Sequence, residues 1–298
     1  MTHQIAILSG KGGAGKTSVT ASIIQMIGSV VAVDADVNAS NLPILLPHSL
    51  HSTTDYYSAG IATVDQQQCT FCGACLTTCN FGAISLSEDN EILISSDCEG
   101  CASCAFICPD DAINLVERKG GEWYVSSIAN GYLVHAELIP GEDNSGKLIT
   151  KVRNEASRLA TEHAISYIVI DGPPGTSCQA ISSITGTDLV LVVVEESLSG
   201  LSDYHRLAEL IHKFTIPHFV LINKAGFSQD VENKIITAAD RFNGTIIGRI
   251  PFDHKIPRAL QKLQTISDID EYKSLIARVV SHFQTALDKK DDKLCCHE

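Results

Sequence analysis

The amino-acid sequence predicts an α/β fold built on a mostly parallel sheet and interrupted by a small α+β insert. Short apolar runs alternate with stretches of helical composition, a pattern typical of parallel sheets covered on both faces. A glycine-rich phosphate-binding pattern follows the first apolar run, and two identical cysteine patterns lie nearer the middle of the chain. With 298 residues, 44% of them hydrophobic, the chain can form one large core or two smaller ones.

The phosphate-binding pattern lies directly after the apolar run 5–8. The segment Gly10–Thr17 fits G-x-x-x-x-G-K-T between a predicted strand and a helical stretch that ends near Ile27, which is the context of a P-loop NTPase. Backbone N–H groups of such a loop surround the β-phosphate, and the helix N-terminus faces the same anion. Lys16 is expected to reach the β and γ oxygens, and Thr17 to bind Mg²⁺. The residues predicted to bind nucleotide in this segment are Gly10, Gly12, Gly13, Ala14, Gly15, Lys16, Thr17 and Ser18.

Acidic residues follow two further apolar runs. Asp34 and Asp36 come after the run 30–33, and Asp171 comes after the run 167–170, just before a Gly-Pro-Pro-Gly turn. Because the carboxyl ends of parallel strands meet at one edge of a sheet, these acids are predicted to lie near the phosphates. Asp171 is expected to hold Mg²⁺ through water, as a Walker-B residue does. The other two acids can divide metal support from orientation of the attacking water.

The remaining apolar runs, 189–194, 218–222 and 245–250, complete the predicted sheet. A helix at 271–287 follows, and because it lacks a basic face and a bulky aromatic edge, it is predicted to pack on the core and not on a membrane. No run approaches the roughly 18 apolar residues that span a bilayer, and no basic region precedes the first run. A cytoplasmic protein without stable membrane insertion is therefore expected.

Eight of the eleven cysteines form two copies of C-x2-C-x2-C-x3-C, repeated at an offset of 29 residues. This spacing is that of bacterial ferredoxins with two [4Fe-4S] clusters, in which the fourth cysteine of each run binds the other cluster. Zinc knuckles are the alternative, although they seldom use three cysteines at this spacing. A reducing compartment argues against a disulfide framework. The crossed pattern assigns Cys69, Cys72, Cys75 and Cys108 to one cluster, and Cys98, Cys101, Cys104 and Cys79 to the other.

The formal net charge is −13, and residues 66–117 contain eight carboxylates and no lysine or arginine. This balance argues against nucleic-acid binding, since phosphate contacts need clustered basic residues. It predicts a partner protein with a basic docking face, with a merely solvated acidic surface as the alternative. The predicted domains are 1–60 and 119–287 for the two parts of the P-loop ATPase domain, 61–118 for the insert and 288–298 for a flexible tail.

A second lysine, Lys11, follows the first glycine of the loop and completes K-G-G-x-G-K-T. Together with the segments 34–36 and 171–175 as two switches, this motif resembles the deviant Walker A ATPases, which include MinD, ParA, the Mrp/ApbC iron-sulfur carriers and the nitrogenase iron protein. Within that group the chain resembles the MinD-superfamily ATPases with an inserted ferredoxin domain. The resemblance implies a homodimer in which Lys11 reaches the partner's nucleotide. It also implies that Asp36 positions water and that Asp34 lies nearer the metal.

The base of the nucleotide is predicted to be adenine. A guanine-selective N-K-x-D motif needs an aspartate at its fourth position, where this chain has Gly226. By the family resemblance Asn223 is expected to bond the adenine, and Pro251 belongs to a segment that resembles the one lining the base. The predicted cofactors are therefore ATP, Mg²⁺ and two [4Fe-4S] clusters.

Cys178 lies where the nitrogenase iron protein has a ligand of its interface cluster. A bridging cluster would need a second cysteine from each subunit, and outside the insert only Cys295 and Cys296 remain. A small buried thiol is therefore expected at Cys178, with a redox-sensitive thiol as the alternative. The two terminal cysteines are expected to lie in a frayed tail, where they could bind metal.

Three functions are compatible with these motifs. The first is an ATPase that couples a nucleotide switch to electron transfer through the clusters. The second is a positioning or assembly ATPase, similar to MinD and ParA, whose clusters are structural or redox-sensing. The third is an iron-sulfur cluster carrier similar to Mrp/ApbC, which ranks last because this chain lacks a C-x-x-C pair outside the cysteine repeat.

Overall fold

The computed structural model describes residues 2–58, 60–140 and 145–295, without the side chains of 293–295. The chain divides into two compact units. The larger unit consists of Met1–Thr54, Trp123–Glu137 and Ser145–Glu298, and the smaller unit of Asp55–Glu122 and Leu138–Asn144. The smaller unit thus contains the predicted insert 61–118 together with flanking residues on both sides.

The secondary structure follows in chain order. The first elements are β1 (His3–Ser9), α1 (Lys16–Met26), β2 (Val30–Asp34), α2 (Leu42–Leu45) and β3 (His48–Tyr57). The middle of the chain forms β4 (Ile61–Val64), α3 (Ala74–Thr78), β5 (Ile84–Leu86), β6 (Ile92–Ile94), α4 (Ser103–Ile107) and β7 (Ile113–Val116). The remaining elements are β8 (Lys119–Ile128), β9 (Gly131–Leu138), α5 (Ser145–Glu162), β10 (Tyr167–Pro174), α6 (Cys178–Ile184), β11 (Leu189–Glu195), α7 (Leu198–Lys213), β12 (His218–Ala225), α8 (Gln229–Arg241), β13 (Thr245–Pro251), α9 (Lys255–Leu260), a 3-10 turn (Ile266–Asp268) and α10 (Asp270–Cys295).

In the described part of the chain, one sheet has the strand order β13-β12-β11-β1-β10-β2-β9-β8-β3. The pairings from β13 to β9 are parallel, so the predicted mostly parallel α/β architecture is confirmed. All six apolar runs of the predicted sheet are strands. The pairing of β2 with β10 sets Asp34 beside Asp171 in register, and both follow fully buried strand residues. Strands β3, β8 and β9 were not predicted; β3 is mostly exposed and lacks an alternating apolar pattern.

Helix α10 packs on the core as predicted. Tyr272, Ile276, Val279, Val280 and Phe283 are buried, and Leu275 packs beside them. The helix continues through the predicted tail to Cys295, and Asp291 Oδ2 lies 3.1 Å from His3 Nε2. The side chain of Cys295 and all of Cys296 lie outside the described residues. Within the described ranges, no helix is long and apolar enough to cross a bilayer.

The two halves of the smaller unit share the same backbone geometry as well as the same cysteine pattern. Strands β4 and β7 form one antiparallel pair, and β5 and β6 form another. Helices α3 and α4 occupy equivalent positions in the two halves, and each is followed by the fourth cysteine of its run. Left-handed residues recur at equivalent positions: Phe71 (φ 58°) and Gly100 (63°), Gly73 (76°) and Ala102 (62°), Gly82 (64°) and Asp111 (50°).

Candidate nucleotide site and cysteine cavities

A cavity of about 670 Å³ lies in the larger unit at the carboxyl ends of the parallel strands. This volume is in the range of small-molecule and cofactor pockets. One wall is the loop between β1 and α1, from Gly12 to Ser18. The rest of the lining is mostly apolar and was only partly predicted from the sequence. The other lining residues include Asp36, Ile44, Leu45, Pro174, Asn223, Lys224, Phe252, Asp253, Ile256, Pro257 and Leu260.

Glycine is required at two positions of the loop. Gly15 has φ 91°, a conformation that side chains disfavour, and a Cβ there would lie 2.2 Å from Asn223 Nδ2. A Cβ on Gly10 would lie 2.1 Å from Asp203 Cβ. Close packing by Asp203 of α7 and Asn223 of β12 therefore leaves no room for a side chain at these two positions.

Lys16 and Asp171 form a buried ion pair at the base of the loop. Lys16 Nζ lies 3.0 Å from Asp171 Oδ1, and both side chains are almost fully buried. Thr17 Oγ1 donates to Asp171 Oδ2 at 2.7 Å, and Thr20 Oγ1 donates to Oδ1 at 2.6 Å. A buried ion pair needs additional hydrogen bonds to offset its desolvation, and the two threonines provide them. The arrangement places a cation, a hydroxyl and a carboxylate together, which fits a phosphate with Mg²⁺.

Asp34 holds the loop that follows β2. Its Oδ1 accepts from Asp36 N at 3.0 Å, and its Oδ2 accepts from Ser40 Oγ and Leu42 N, each at 2.9 Å. The sequence predicts that Asp34 lies near Mg²⁺, but in this structure the loop itself occupies both oxygens. Burial and the neighbouring Asp171 raise the pKa of Asp34 from 3.8 to about 7, although the backbone donors oppose the shift.

Asp34 is expected to make the stability of the larger unit depend on pH. Because its folded pKa of about 7 exceeds the ordinary 3.8, its contribution is full below pH 4 and is lost as pH rises through 7. The loss should reach a few kcal/mol, with an upper limit of about 4 kcal/mol for a shift of this size. Urea unfolding followed by the fluorescence of Trp123, without nucleotide or Mg²⁺, measures it between pH 5 and 8.

The matched controls are Asp34→Asn and Asp230→Asn. In the first variant the free energy of unfolding should depend less on pH, because asparagine cannot ionise. The second variant alters an exposed carboxylate of α8 and should keep the wild-type dependence on pH. An unchanged slope in Asp34→Asn would show that another group titrates.

Asp36 is one of two acids in the described lining of the cavity, and the other is Asp253. Partial burial raises its pKa and Lys16 opposes the shift, so the carboxylate lies within the electrostatic influence of the loop lysine. Its position at the cavity wall is compatible with the expected role of orienting water.

Lys11 does not line the nucleotide cavity. Its Nζ lies 3.1 Å from Glu195 Oε2 and donates to Ser199 Oγ at 2.8 Å, so it is bound within its own chain. Glu195 Oε2 also lies 3.7 Å from Lys224 Nζ, which donates to the loop carbonyl of Gly13 at 2.9 Å. These surface contacts are individually weak, because exposed ion pairs contribute roughly 0–1 kcal/mol. Lys11 can therefore exchange Glu195 for another anion at low cost.

Asn223 and Pro251 were predicted to bind the base. Asn223 lines the cavity, but its Nδ2 donates to Ala14 O at 2.7 Å and its Oδ1 accepts from Lys224 N at 2.9 Å. Its side chain thus supports the phosphate loop in this structure. Pro251 is absent from the described cavity lining, whereas the next residue, Phe252, is present. Sequence reasoning identified the segment, but the side chain that reaches the cavity depends on how β13 ends.

The eight repeated cysteines line two small cavities in the smaller unit. Among the described residues, no three His, Cys, Asp or Glu side chains form a group that could hold a metal ion. In a [4Fe-4S] cluster each cysteine binds a different iron, so the four cysteines surround the whole cluster and do not converge on a single ion. Four cysteines around a cavity match that requirement. Cys69, Cys72, Cys75 and Cys108 line one cavity, and Cys79, Cys98, Cys101 and Cys104 line the other.

The chemistry of these cysteines also fits cluster binding. Backbone N–H groups point at sulfurs: Phe71 N lies 3.4 Å from Cys69 Sγ, and Ala112 N lies 3.4 Å from Cys108 Sγ. Such donors stabilise thiolates and tune cluster potentials. Burial raises the pKa of Cys75 and its counterpart Cys104, so these thiols favour the neutral form until a metal deprotonates them.

Cys178 is exposed, so the expected buried thiol is wrong. It is the first residue of α6, directly after the turn that follows β10. The exposure of a residue at a helix start depends on what packs over it, which the local sequence does not show.

The comparisons with known proteins agree with this geometry. A model of the CobQ/CobB/MinD/ParA nucleotide binding domain matches residues 5–266. The chain belongs to this family. Another chain, an uncharacterized protein of Methanocaldococcus jannaschii, is 34% identical over 261 residues, which cover 86% of this chain and 87% of that one. The cell division ATPase MinD of Pyrococcus furiosus, 18% identical, shares the CobQ/CobB/MinD/ParA fold with a TM-score of 0.56 over 96% of this chain and 99% of its own.

Two further similar proteins are an iron-sulfur cluster carrier protein and a ferredoxin. The iron-sulfur cluster carrier protein of Methanocaldococcus jannaschii is 25% identical over 304 residues, covering 93% of this chain and 84% of the carrier. A ferredoxin of Pyrobaculum islandicum is 38% identical over 68 residues, covering 20% of this chain and 64% of the ferredoxin.

Proposed function

We propose that this protein is a dimeric P-loop ATPase that couples ATP binding and hydrolysis to electron transfer through two [4Fe-4S] clusters in a ferredoxin-like insert. The observation that carries the proposal is the division of the eight cysteines between two cavities in the crossed sets of a two-cluster ferredoxin. The similarity to a ferredoxin supports it. When bound, the clusters supply one-electron chemistry.

The nucleotide half of the proposal follows from the loop. With MgATP bound, Lys16 would neutralise the β and γ phosphate oxygens, and Thr17 and Asp171, which contact each other here, would hold the Mg²⁺ that offsets their charge. Asp36 orients a water that attacks the γ-phosphorus, so that the bond to the β–γ bridging oxygen breaks and ADP and phosphate leave. Lys11 leaves Glu195 and contacts the nucleotide of the partner subunit, which makes closure of the dimer depend on ATP.

The coupling uses two segments that flank the sheet edge. One is the loop held by Asp34, and the other is the turn between Asp171 and α6. Since Asp34 and Asp171 are register partners on adjacent strands, a change at the γ-phosphate reaches both segments. The cysteine repeat lies between these two segments in the sequence. The acidic insert is proposed to dock a partner protein with a basic face.

Anaerobic electron paramagnetic resonance of the reduced protein tests the proposal. With MgATP the signals of two interacting clusters should shift relative to MgADP, and the shift should be absent in Lys16→Gln, which lacks the phosphate contact. Two results together would contradict the coupling. The spectra and the rate of cluster reduction would be the same with and without MgATP, and the rate of ATP hydrolysis would not depend on the oxidation state of the clusters.

A second candidate is delivery of iron-sulfur clusters, favoured by the relative that is named an iron-sulfur cluster carrier protein. A carrier must release its cluster, so incubation with an apo-ferredoxin should transfer iron within minutes and an iron chelator should strip it as fast. Clusters that resist the chelator while still exchanging electrons would favour the first proposal.

The crossed ligand sets predict which cysteine variants behave alike. Cys108→Ala should lose the same cluster as Cys75→Ala, and Cys79→Ala the same cluster as Cys104→Ala, because each pair lines one cavity. Iron should fall from about eight to about four atoms per chain in all four variants, as one of two four-iron clusters is lost. Cys178→Ala, which removes an exposed thiol outside the repeat, is the control and should keep the full content. A Cys108→Ala spectrum that matches Cys104→Ala would refute the crossing.

A further inference from the structure

A second cavity in the larger unit, of about 320 Å³, is separate from the nucleotide cavity. It lies where α5 and α6 meet the start of β1 and reaches no residue of the phosphate loop. The described residues around it are hydroxyl and amide side chains, one apolar side chain, Ile181, and one cation, Arg153. No carboxylate belongs to this described lining.

Arg153 is held by neutral groups. Its Nη1 donates to Ser182 O at 2.6 Å and Thr185 O at 2.8 Å, and its Nη2 donates to Gln4 Oε1 at 2.7 Å. Its Nε is buried and has no acceptor among the described residues. The carbonyls at the end of α6 provide only the partial negative charge of a helix terminus. The guanidinium is therefore fixed in place without a formal counter-charge.

Arg158, on the same helix, shows the contrast. It pairs with Glu155 at 2.6 Å and also with Glu162, and it is exposed. Arg153 forms no ion pair with any described residue, although burial lowers its pKa by disfavouring the charged form. Arg153 is only partly buried, but a charge withdrawn from water is ordinarily paired, so the cavity beside it is electrostatically suited to an anion.

We propose that this cavity binds a small oxyanion, the carboxylate or phosphate group of a metabolite, with Arg153 as the cation. The planar guanidinium recognises both groups through directed N–H donors. The amide of Asn154 and the hydroxyl of Ser182 also line the cavity and can donate to the same anion. Arg153 also holds the end of α6, which starts directly after the second switch segment, so the ligand shares its cation with that helix.

Isothermal titration calorimetry of the full-length protein tests the site. The protein is first saturated with a non-hydrolysable MgATP analogue, so that its α-, β- and γ-phosphate positions are filled, and is then titrated with inorganic phosphate or with citrate at constant ionic strength. A saturable event with one of these probes is expected, and the probe that binds identifies the group as phosphate or carboxylate. Arg153→Gln should weaken it by at least about tenfold, the scale of one charge-assisted hydrogen bond, whereas Arg158→Gln should leave it unchanged.

Arg153→Gln also removes contacts to α6 and can destabilise the fold. Asn154→Ala leaves those contacts intact, so it provides an independent variant, expected to weaken binding by roughly threefold or more through loss of one neutral donor. No saturable binding of either probe, or wild-type binding in both Arg153→Gln and Asn154→Ala, would show that Arg153 serves only to hold α6.

Discussion

Replacing Lys16 with glutamine is expected to abolish ATP turnover and to weaken the fold at the same time. The variant lacks the cation that contacts the phosphates, and loss of such a group lowers kcat by at least roughly a hundredfold. It also leaves Asp171, which is almost fully buried, as an unpaired charge. Breaking a buried ion pair from one side costs about 3–5 kcal/mol. ATP hydrolysis and urea unfolding followed by Trp123 fluorescence measure the two effects.

The double variant Lys16→Gln/Asp171→Asn separates catalysis from stability. Removing both charges leaves no buried ion uncompensated, so most of the lost stability should return while ATP turnover stays absent. Lys255→Gln, which removes an exposed lysine paired with Glu271, is the control and should change neither quantity. A double variant as unstable as Lys16→Gln would mean that the pair is not the source of the instability.

Removal of iron is expected to unfold the smaller unit and leave the larger one folded. Among the described residues, the main buried cluster of the smaller unit has five members, and two of these are cysteines. So small a core cannot offset the chain entropy of the unit without bound metal. Binding free energy is then folding free energy, as in other small metal-dependent domains.

Limited proteolysis of the full chain, before and after anaerobic chelation, measures this effect. Cleavage within Asp55–Glu122 should accelerate by more than about tenfold in the chelated protein, because local opening exposes the backbone. Affinity for MgADP should remain within about twofold, since the nucleotide cavity is lined by the larger unit. Equal protease resistance with and without iron would show that the five-residue core is sufficient.

The chemistry of the nucleotide site could be predicted because it is encoded over short distances. A P-loop depends on glycines and a lysine within eight residues, and the structure places this loop at the edge of the sheet where Asp171 ends up beside Lys16, a pairing that the motif alone does not state. The apolar residues that complete the cavity lining could not be predicted in detail. Phe252, Ile256 and Leu260 line the cavity because of the turn that connects the end of β13 to α9. No local sequence pattern specifies the geometry of that turn.

Several side chains have roles that only their distant neighbours decide. Asp34 holds its loop because Ser40 and Leu42 fold back onto its oxygens, and Lys11 contacts Glu195 from a strand far along the chain. The exposure of Cys178 reversed the expected burial. No sequence pattern indicated a binding role for Arg153, because an arginine within an amphipathic helix normally lies on the solvated face of that helix.

Local sequence patterns were enough to predict the parallel frame, the phosphate loop and the division of the cysteines into two repeated runs. Strand periodicity, loop glycines and ligand spacing are all local patterns, and local patterns do not depend on how distant segments pack. Folding sets the features that depend on distant neighbours: the counter-ion of Lys11, the donors around Asp34, the exposure of Cys178 and the absence of a counter-ion for Arg153 among the described residues. These features arise from contacts between residues far apart in the chain, where burial and charge are set by packing.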